Sequence, residues 1–581
     1  MKLSEVWSHI PWVPDRRPIY EWAAENLTMP PVLTFDGKFD PSISRQFLAP
    51  LDALKNDRVR EVNVLAPPRS GKTLIADLFV PHTMARDPGP VLWVFAVDEQ
   101  AKRHCESRLM PMVKGCPQIA SLLSEDRHKT RSTEIQLANG YPLRVVGNSE
   151  RNLQAQGYRY LVCDEVWEWP RGVLAEAKPR VNDFRRTQSS KVLIISQGGD
   201  IGGEWYAQYT GGRIHEWEVP CDKCGVFEPP VFTGKHEDGR KYGMVWECEK
   251  HMDGTYNFTQ AKETTRYVCK HCGHEHADCA STQQRWNSLG RYREIEGGDA
   301  EVHSYHWTDE ITSPWSDIVT DFLKARWQSK RGNHEPIVAF MRKRRAEFAS
   351  EGSVLQQERQ DAVIEMGPQG DWPEEAIRVA SIDVQEGYFW LMIRAWAKSA
   401  ESRRIFWGKC QDVAELERML DLHKVKAGLV VIDAANRPQA VYDIAAPRNW
   451  ICVIGSHQRG WTHRVEERGQ LVKHVEKAWS ARRWGQSGIY KDGKRLSAMC
   501  FLISKPSTAD RLQGLRDRSL WTEPKVELTK WEKDYQKQMS SMVKIRPRPG
   551  EPEEWTMTGE EPHAWDCARM NTFVAMAKGI A

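Results

Sequence analysis

Between Arg60 and Ser196 the apolar residues fall into short, β-branched runs at 62–66, 91–97, 159–165 and 191–196, separated by longer stretches with helical spacing. Continuous apolar strands alternating with helices predict a parallel α/β sheet covered on both faces. From about 198 to 278 the periodicity stops, and Gly, Cys, His and Trp dominate. Such a segment reads as an insertion held by something other than a large core. A helical, strongly charged stretch follows at 316–350, then a polar, Pro-bearing one, and the pair reads as a linker. A second α/β pattern then begins, with strands expected at 378–385, 388–397, 403–410 and 427–435 and a helix near 412–425.

The longest apolar runs fall far short of the roughly 18 residues of a membrane helix, and no signal-peptide core interrupts the polar amino terminus, so a cytosolic protein without membrane contact is expected. Across 581 residues, 82 Lys and Arg nearly balance 79 Asp and Glu. An acidic partner must therefore meet a local basic patch, because the mean field is weak. The 13 cysteines are either isolated in apolar runs or paired as CxxC, which suits buried thiols and metal ligands in a reducing compartment.

Ala66-Pro67-Pro68-Arg69-Ser70-Gly71-Lys72-Thr73 lies between a predicted strand and a helical run, the context of a phosphate-binding loop. Backbone N–H groups there would surround phosphate, with Lys72 near its outer oxygens and the Thr73 hydroxyl on Mg²⁺. Ala66 departs from the usual first Gly. Downstream, the apolar strand at 159–165 ends in Asp164 and Glu165, suited to holding Mg²⁺ through water and to activating the attacking water. Together the two motifs predict ATP hydrolysis. Arg69 is a candidate arginine finger in cis, and Ser196 and Gln197, ending the next strand, are candidate γ-phosphate sensors that couple hydrolysis to movement.

Cys221, Cys224, Cys269 and Cys272 form two CxxCG knuckles able to hold one tetrahedral Zn²⁺, structural because four thiolates leave no open position. Their separation exceeds the 15–20 or so residues of a compact ribbon, so a loop must protrude between them. Cys248, His251, His271, His274, His276 and Cys279 are further ligand types nearby. In the second domain, Asp383 and Asp433 sit on predicted strands, and His563 and Asp566 share one face of a predicted amphipathic helix. Such acids could gather Mg²⁺ or Mn²⁺ for two-metal phosphodiester cleavage, as in ribonuclease H-like nucleases.

The order of these motifs, from SRQFLAPLDALKNDRVREVNVLAPPRSGKT through LVCDEVWEWP and the CxxCG pair to SIDVQEGYFWLMIRAWA, VVIDAANRPQAVYDI and HAWDCARMNTFVAMA, resembles the large terminase subunit of tailed bacteriophages, in its GpA-like, lambda-type branch. The resemblance spans roughly residues 35 to 578. It implies an α/β chain with an ASCE-type P-loop ATPase domain carrying a zinc-knuckle insertion, followed by a ribonuclease H-like nuclease domain. The expected division is an N-terminal segment at 1–45, the ATPase core at 46–200, the zinc insertion and end of the ATPase domain at 201–315, a helical linker at 316–375 and the nuclease at 376–581.

The resemblance further implies an ATP-driven motor that moves double-stranded viral DNA into a procapsid and an endonuclease that cuts the concatemer. Implied partners are DNA, a small terminase subunit and the portal protein. A homo-oligomeric ring is expected during packaging, with a monomer in solution also compatible. The implied place is the cytoplasm of the infected bacterial host, outside the mature virion. Lys72, Thr73, Asp164 and Glu165 would serve the nucleotide, and Asp383, Asp433 and Asp566 the nuclease metals. His563 stands where lambda-type relatives would carry Glu, which points to altered metal preference. Arg342, Lys343, Arg344 and Arg345 form a basic run suited to DNA phosphates. Two alternatives remain: a repair helicase-nuclease, for which no further helicase motifs follow Ser196, and an inactive prophage DNA-binding remnant.

Overall fold

The computed structural model describes residues 17–32, 37–123, 133–154, 156–236, 238–250, 255–331, 333–350, 361–365, 372–467, 470–526, 529–545, 554–557 and 561–581. The chain divides into two compact units, one ending at Val354 and the other starting at Leu355. No helix among the described residues is long and apolar enough to cross a membrane.

The first unit is built on a ten-stranded sheet. Gly212–Pro220, Asp299–His306, Glu61–Leu65, Lys191–Ser196, Tyr160–Asp164, Val91–Phe95 and Pro142–Gly147 run parallel in that spatial order, with antiparallel strands at the edges. Alternate residues of each strand enter different cores: Val62, Trp93, Val162 and Ile195 pack on one face, and Leu92, Leu161, Cys163 and Ile194 on the other. Burial on both faces explains why these strands read as unbroken apolar runs. Lys191–Ser196 stands between the strand that feeds the loop and the strand that ends in acids, the ASCE arrangement.

The cysteine-rich segment carries its own small antiparallel sheet of Thr233–Lys235, Lys241–Val245, Arg266–Val268 and Glu275–Ala277. The charged stretch expected as a linker is not free-standing as far as residue 350. Helices Trp315–Ser329 and Glu335–Lys343 bury Ile318, Val319, Leu323, Ile337 and Phe340 in the first unit's core, because their charges occupy one face and apolar residues the other.

The second unit holds a nine-stranded sheet. Ser402–Cys410, Phe389–Ala397 and Glu375–Val384 are antiparallel, whereas Glu375–Val384, Val430–Asp433, Ile451–Ser456 and Lys494–Ser504 run parallel, a ribonuclease H-like order. Helix His563–Ala577 lies against one face among Val379, Trp390, Met392 and Val431. It is buried nearly all round rather than amphipathic, since helices Lys505–Asp517 and Lys530–Ser540 cover its outer side.

Candidate active sites and metal centre

The loop after Glu61–Leu65 closes tightly. Ala66 donates its N–H to Ser196 O at 3.0 Å, and the Ser70 hydroxyl donates to Pro67 O at 2.7 Å. Gly71 has φ +86°, and a Cβ there would stand 2.6 Å from the Phe47 ring, so only Gly fits. Helix Lys72–Arg86 starts at once, aiming its free N–H groups at the loop. Lys72 is 3% exposed, and its Nζ lies 2.8 Å from Glu165 Oε1. Arg69 is exposed with φ 61°, and Thr73 opens the helix.

Asp164 is 2% exposed, and burial first, then the Glu165 charge, pushes its carboxyl well above the usual range. Asp164 Oδ1 and Glu165 Oε2 are buried without a hydrogen-bond partner among the described residues. Oxygens in that state suit a hydrated Mg²⁺ and an attacking water. Ser196 bridges two pieces of the site: its carbonyl takes the Ala66 N–H, and its Oγ takes the Trp167 N–H at 3.1 Å. Gln197 is buried with its Nε2 unpartnered. Asp77, from the loop's helix, is fully buried against His104 at 2.9 Å and against Arg108. This pair of partners was not foreseen, since it joins two helices that no motif relates.

The basic run takes a structural place. Arg342 bonds Asp200 and Ala349 O, Arg344 pairs with Asp309 and Asp321, and Arg345 is buried on Glu310 and Glu347. Only Lys343 of the four is exposed. Three of the four cations are thus neutralised inside the first unit and are not free for phosphates. The Arg342 carbonyl also accepts the Gly198 N–H at 3.1 Å, and a Cβ on Gly198 would meet Glu347 O at 2.0 Å. The run straps the loop that follows Gln197.

Each CxxCG knuckle turns through a positive-φ glycine, Gly225 or Gly273, whose N–H returns to the carbonyl of Cys221 or Cys269. The four Sγ atoms lie within 4.8 Å of one another, with Cys221 to Cys272 at 3.7 Å and Cys224 to Cys269 at 3.8 Å. Thiolates 2.3 Å from a tetrahedral zinc stand about 3.8 Å apart, so the cluster fits that ion. The His274 N–H bonds the Cys272 thiol and lowers it to about 7. Cys248, His271 and Cys279 are engaged elsewhere, with Asn257 O, Glu228 and Thr282 respectively. His251 lies outside the described residues.

In the second unit, Ile382 pairs with Ile432 in parallel register, so Asp383 and Asp433 lie side by side at adjacent strand ends. Both project to the face covered by helix His563–Ala577, which brings His563 and Asp566 to them. Burial first, then the charges of Asp383 and Asp566, raises Asp433 to about 6. His563 Nδ1 is 2.7 Å from Asp383 Oδ2, and the ring stacks on Trp390 at 5.6 Å. Burial opposes charge on this ring, but the Asp383 hydrogen bond and the Asp383 and Glu561 charges outweigh it and raise its pKa. His563 thus touches Asp383, and the charges of Asp383 and Asp566 reach Asp433, a set of donor types suited to divalent ions although its ligand atoms do not all converge within 4.8 Å.

Several supporting groups were missed in the sequence. Gln385 donates to Asp383 Oδ2 at 2.9 Å, and Arg569 pairs with Asp566. Asn571 accepts from Trp396 Nε1 at 2.7 Å and donates to Val379 O at 3.2 Å, fixing the helix to the sheet. A lone amide inside an apolar helical run was the one available signal.

Residues 35–289 match the family described as phage terminase large subunit gpA, ATPase domain, and residues 303–581 match terminase large subunit gpA, endonuclease domain. The chain belongs to the phage terminase large subunit gpA family. It accordingly carries an ATP hydrolase and a DNA endonuclease. The family's endonuclease match begins inside the first unit, since Asp299–His306 pairs with Glu61–Leu65 there. Solved structures similar to this gpA-family chain include the HK97 bacteriophage large terminase, at 9% identity and TM-score 0.37 over 96% of this chain and 99% of that one. Others are the large terminase of a thermophilic bacteriophage in complex with ADP (12%, 0.29, 92% and 98%) and the Thermus phage P74-26 large terminase ATPase domain (12%, 0.27, 51% and 96%). No curated protein sequence matches the chain.

Proposed function

We propose that this chain is the motor and nuclease of a phage DNA-packaging machine, translocating double-stranded DNA into a procapsid and cutting the concatemer. The observation that carries the reading is the Lys72–Glu165 pair beside the partnerless Asp164 Oδ1, with Glu165 Oε2 itself partnerless among the described residues, in a chain whose other unit places Asp383 and Asp433 at adjacent strand ends beside His563 and Asp566.

In the first site, the loop N–H groups and the helix N-terminus receive the ATP phosphates, and Lys72 leaves Glu165 for them. Glu165, so released, orients the attacking water and accepts its proton. Thr73 and Asp164 would hold Mg²⁺, which when bound would neutralise charge on the phosphates. Gln197 stands ready to sense the γ-phosphate, and Ser196 ties that strand to both the loop and the turn after Glu165. The Gly198 strap would carry the change to the helices beyond. Arg69, exposed in the loop, serves as the finger in cis.

In the second site, Asp383, Asp433, Asp566 and His563 would hold two ions, which when bound activate water and stabilise the leaving oxygen. One imidazole among carboxylates favours a transition ion such as Mn²⁺ over Mg²⁺. The four thiolates would hold a structural Zn²⁺ that stiffens the insertion. DNA contact passes from the run at 342–345 to the exposed edge strand Arg483–Lys491 of the nuclease sheet. There Arg482, Arg483 and Trp484 are exposed, Trp484 by 57%. Arg483 pairs with Cys500, one residue from the Phe501 that shares a row with Val453 and Asp433. Three strand spacings, about 14 Å, therefore separate this edge from Asp433, less than a duplex width. The small subunit, the portal, a ring of copies and the infected host's cytoplasm complete the proposal.

The test is cleavage of supercoiled plasmid with Mn²⁺ or Mg²⁺, beside Asp383→Ala. Metal-dependent nicking absent from the variant is expected. Equal cutting by both proteins would remove the assignment of the site.

A further inference from the structure

Asp222, His274 and His276 lie among the cysteine knuckles, yet none is one of the four thiolate ligands. Asp222 follows Cys221 in the first knuckle, and the histidines follow Cys272-Gly273 in the second. One ligand atom from each falls within 4.8 Å of the others. His276 is 3% exposed, and its Nδ1 has no hydrogen-bond partner among the described residues. A buried ring nitrogen in that state costs free energy unless something occupies it.

Asp222 Oδ2 stands 3.6 Å from that nitrogen. That is too long for a hydrogen bond. It is the separation of two atoms sharing one ion: donors 2.0–2.2 Å from a tetrahedral metal stand about 3.3–3.6 Å apart. The same geometry accounts for the sulfur spacings of the neighbouring thiols. The other carboxylate oxygen, Oδ1, faces Arg285 Nε at 3.2 Å, which holds the carboxylate in orientation. The His276 ring is fixed edge-on by Tyr267 and Trp286, and the His274 ring lies 4.8 Å from it in a T-shaped contact. The donors are therefore preset by packing.

We propose that Asp222, His274 and His276 bind a second divalent ion, zinc by donor chemistry, with its fourth position open to water or an outside ligand. Two imidazoles, a carboxylate and an open position form a zinc set distinct from the closed thiolate site. Because Asp222 comes from one knuckle and both histidines from the other, the ion is a second tie between segments distant in sequence.

The test uses the full-length protein, saturated with zinc and desalted, with metal measured by mass spectrometry. Two equivalents are expected in the wild type, and one in His274→Ala and in Asp222→Asn. Both altered side chains are at least partly exposed, so the fold should persist. Cobalt replacement separates the two sites. Thiolate-to-cobalt charge-transfer bands should survive in His274→Ala, while one cobalt and its weaker ligand-field absorption are lost. A wild type holding a single ion with thiolate bands, unchanged by His274→Ala, would overturn the proposal. So would two ions retained in both variants. Loss of the thiolate bands with one nitrogen- and oxygen-bound ion still present would uphold this site and instead remove the four-cysteine zinc from the proposed function.

Discussion

Glu165 holds φ at 51°, a left-handed conformation that costs a non-glycine residue about 1–3 kcal/mol. The neighbouring structure keeps it there: its N–H donates to Ile195 O at 2.8 Å, and Lys72 takes its carboxylate. The kink turns the side chain away from the strand axis and back over the loop, where a water in line with a phosphate would stand. Replacement by Gln preserves shape and hydrogen bonding but removes the base. We expect Glu165→Gln to bind nucleotide nearly as the wild type does while kcat for hydrolysis falls about 10²–10⁴-fold. Calorimetric nucleotide titration and phosphate release check both halves, and undiminished hydrolysis would take Glu165 out of the reaction. That the Lys72 loop and the Glu165 strand end belong to one site was legible in the sequence because two motifs each mark a strand end, and parallel strands bring their ends to one edge; their ion pair was not. Gln385 and Asn571 were not, because their partners Asp383, Trp396 and Val379 are reached only through sheet register and helix packing.

Elements that read poorly are those whose burial is uneven. Strand Asp299–His306 begins polar and exposed and is buried only at its last three residues, so no apolar run betrays it, although it lies inside the sheet between Gly212–Pro220 and Glu61–Leu65. It is anchored by His306, whose Nδ1 is 2.7 Å from Glu216 Oε2 and whose Nε2 is 3.0 Å from Arg345 O. Burial alone would lower this histidine, but the Glu216 charge and hydrogen bond and the Arg345 carbonyl prevail and raise it. The ring is thus more often charged in the fold than in the unfolded chain. Its contribution is fully present below the ordinary value of about 6.5 and is lost as pH rises through the raised one. His306→Gln should therefore lower the melting temperature more at pH 6 than at pH 9, and an equal loss at both would refute the ion pair. The basic run at 342–345 misled for a related reason: composition shows charge, but only packing shows that Asp309, Glu310 and Asp321 already answer it. Among the described residues, no acid forms an ion pair with the exposed Arg482 or Arg483 at the start of strand Arg483–Lys491. Arg482→Ala with Arg483→Ala is expected to weaken DNA binding across sequences and to flatten the salt dependence by about one to two in log–log slope, with ATP hydrolysis unchanged. Filter binding over a salt series checks it, and an unaltered slope would exclude the edge strand.

At the scale of the molecule, each proposed site draws its residues from one unit. Residues 66–73, 164–165 and 196–197 all precede Val354, and the residues from Asp383 to Asp566 all follow Leu355. Each unit also has its own apolar cores, on both faces of its own sheet. The two halves were legible because each repeats the α/β rhythm, whereas their division was not, since the charged helices after 315 belong to the first core. A site that draws every group from one independently packed unit should survive loss of the other unit's chemistry. Glu165→Gln should still cut plasmid in Mn²⁺ at the wild-type rate, and Asp383→Ala should still hydrolyse ATP at the wild-type rate, with both assays run on the same preparations. If Glu165→Gln also abolished cutting while its melting profile stayed intact, the nuclease would require a nucleotide-driven state of the first unit, and cleavage would be a step of the motor's cycle rather than a separate activity carried on the same chain.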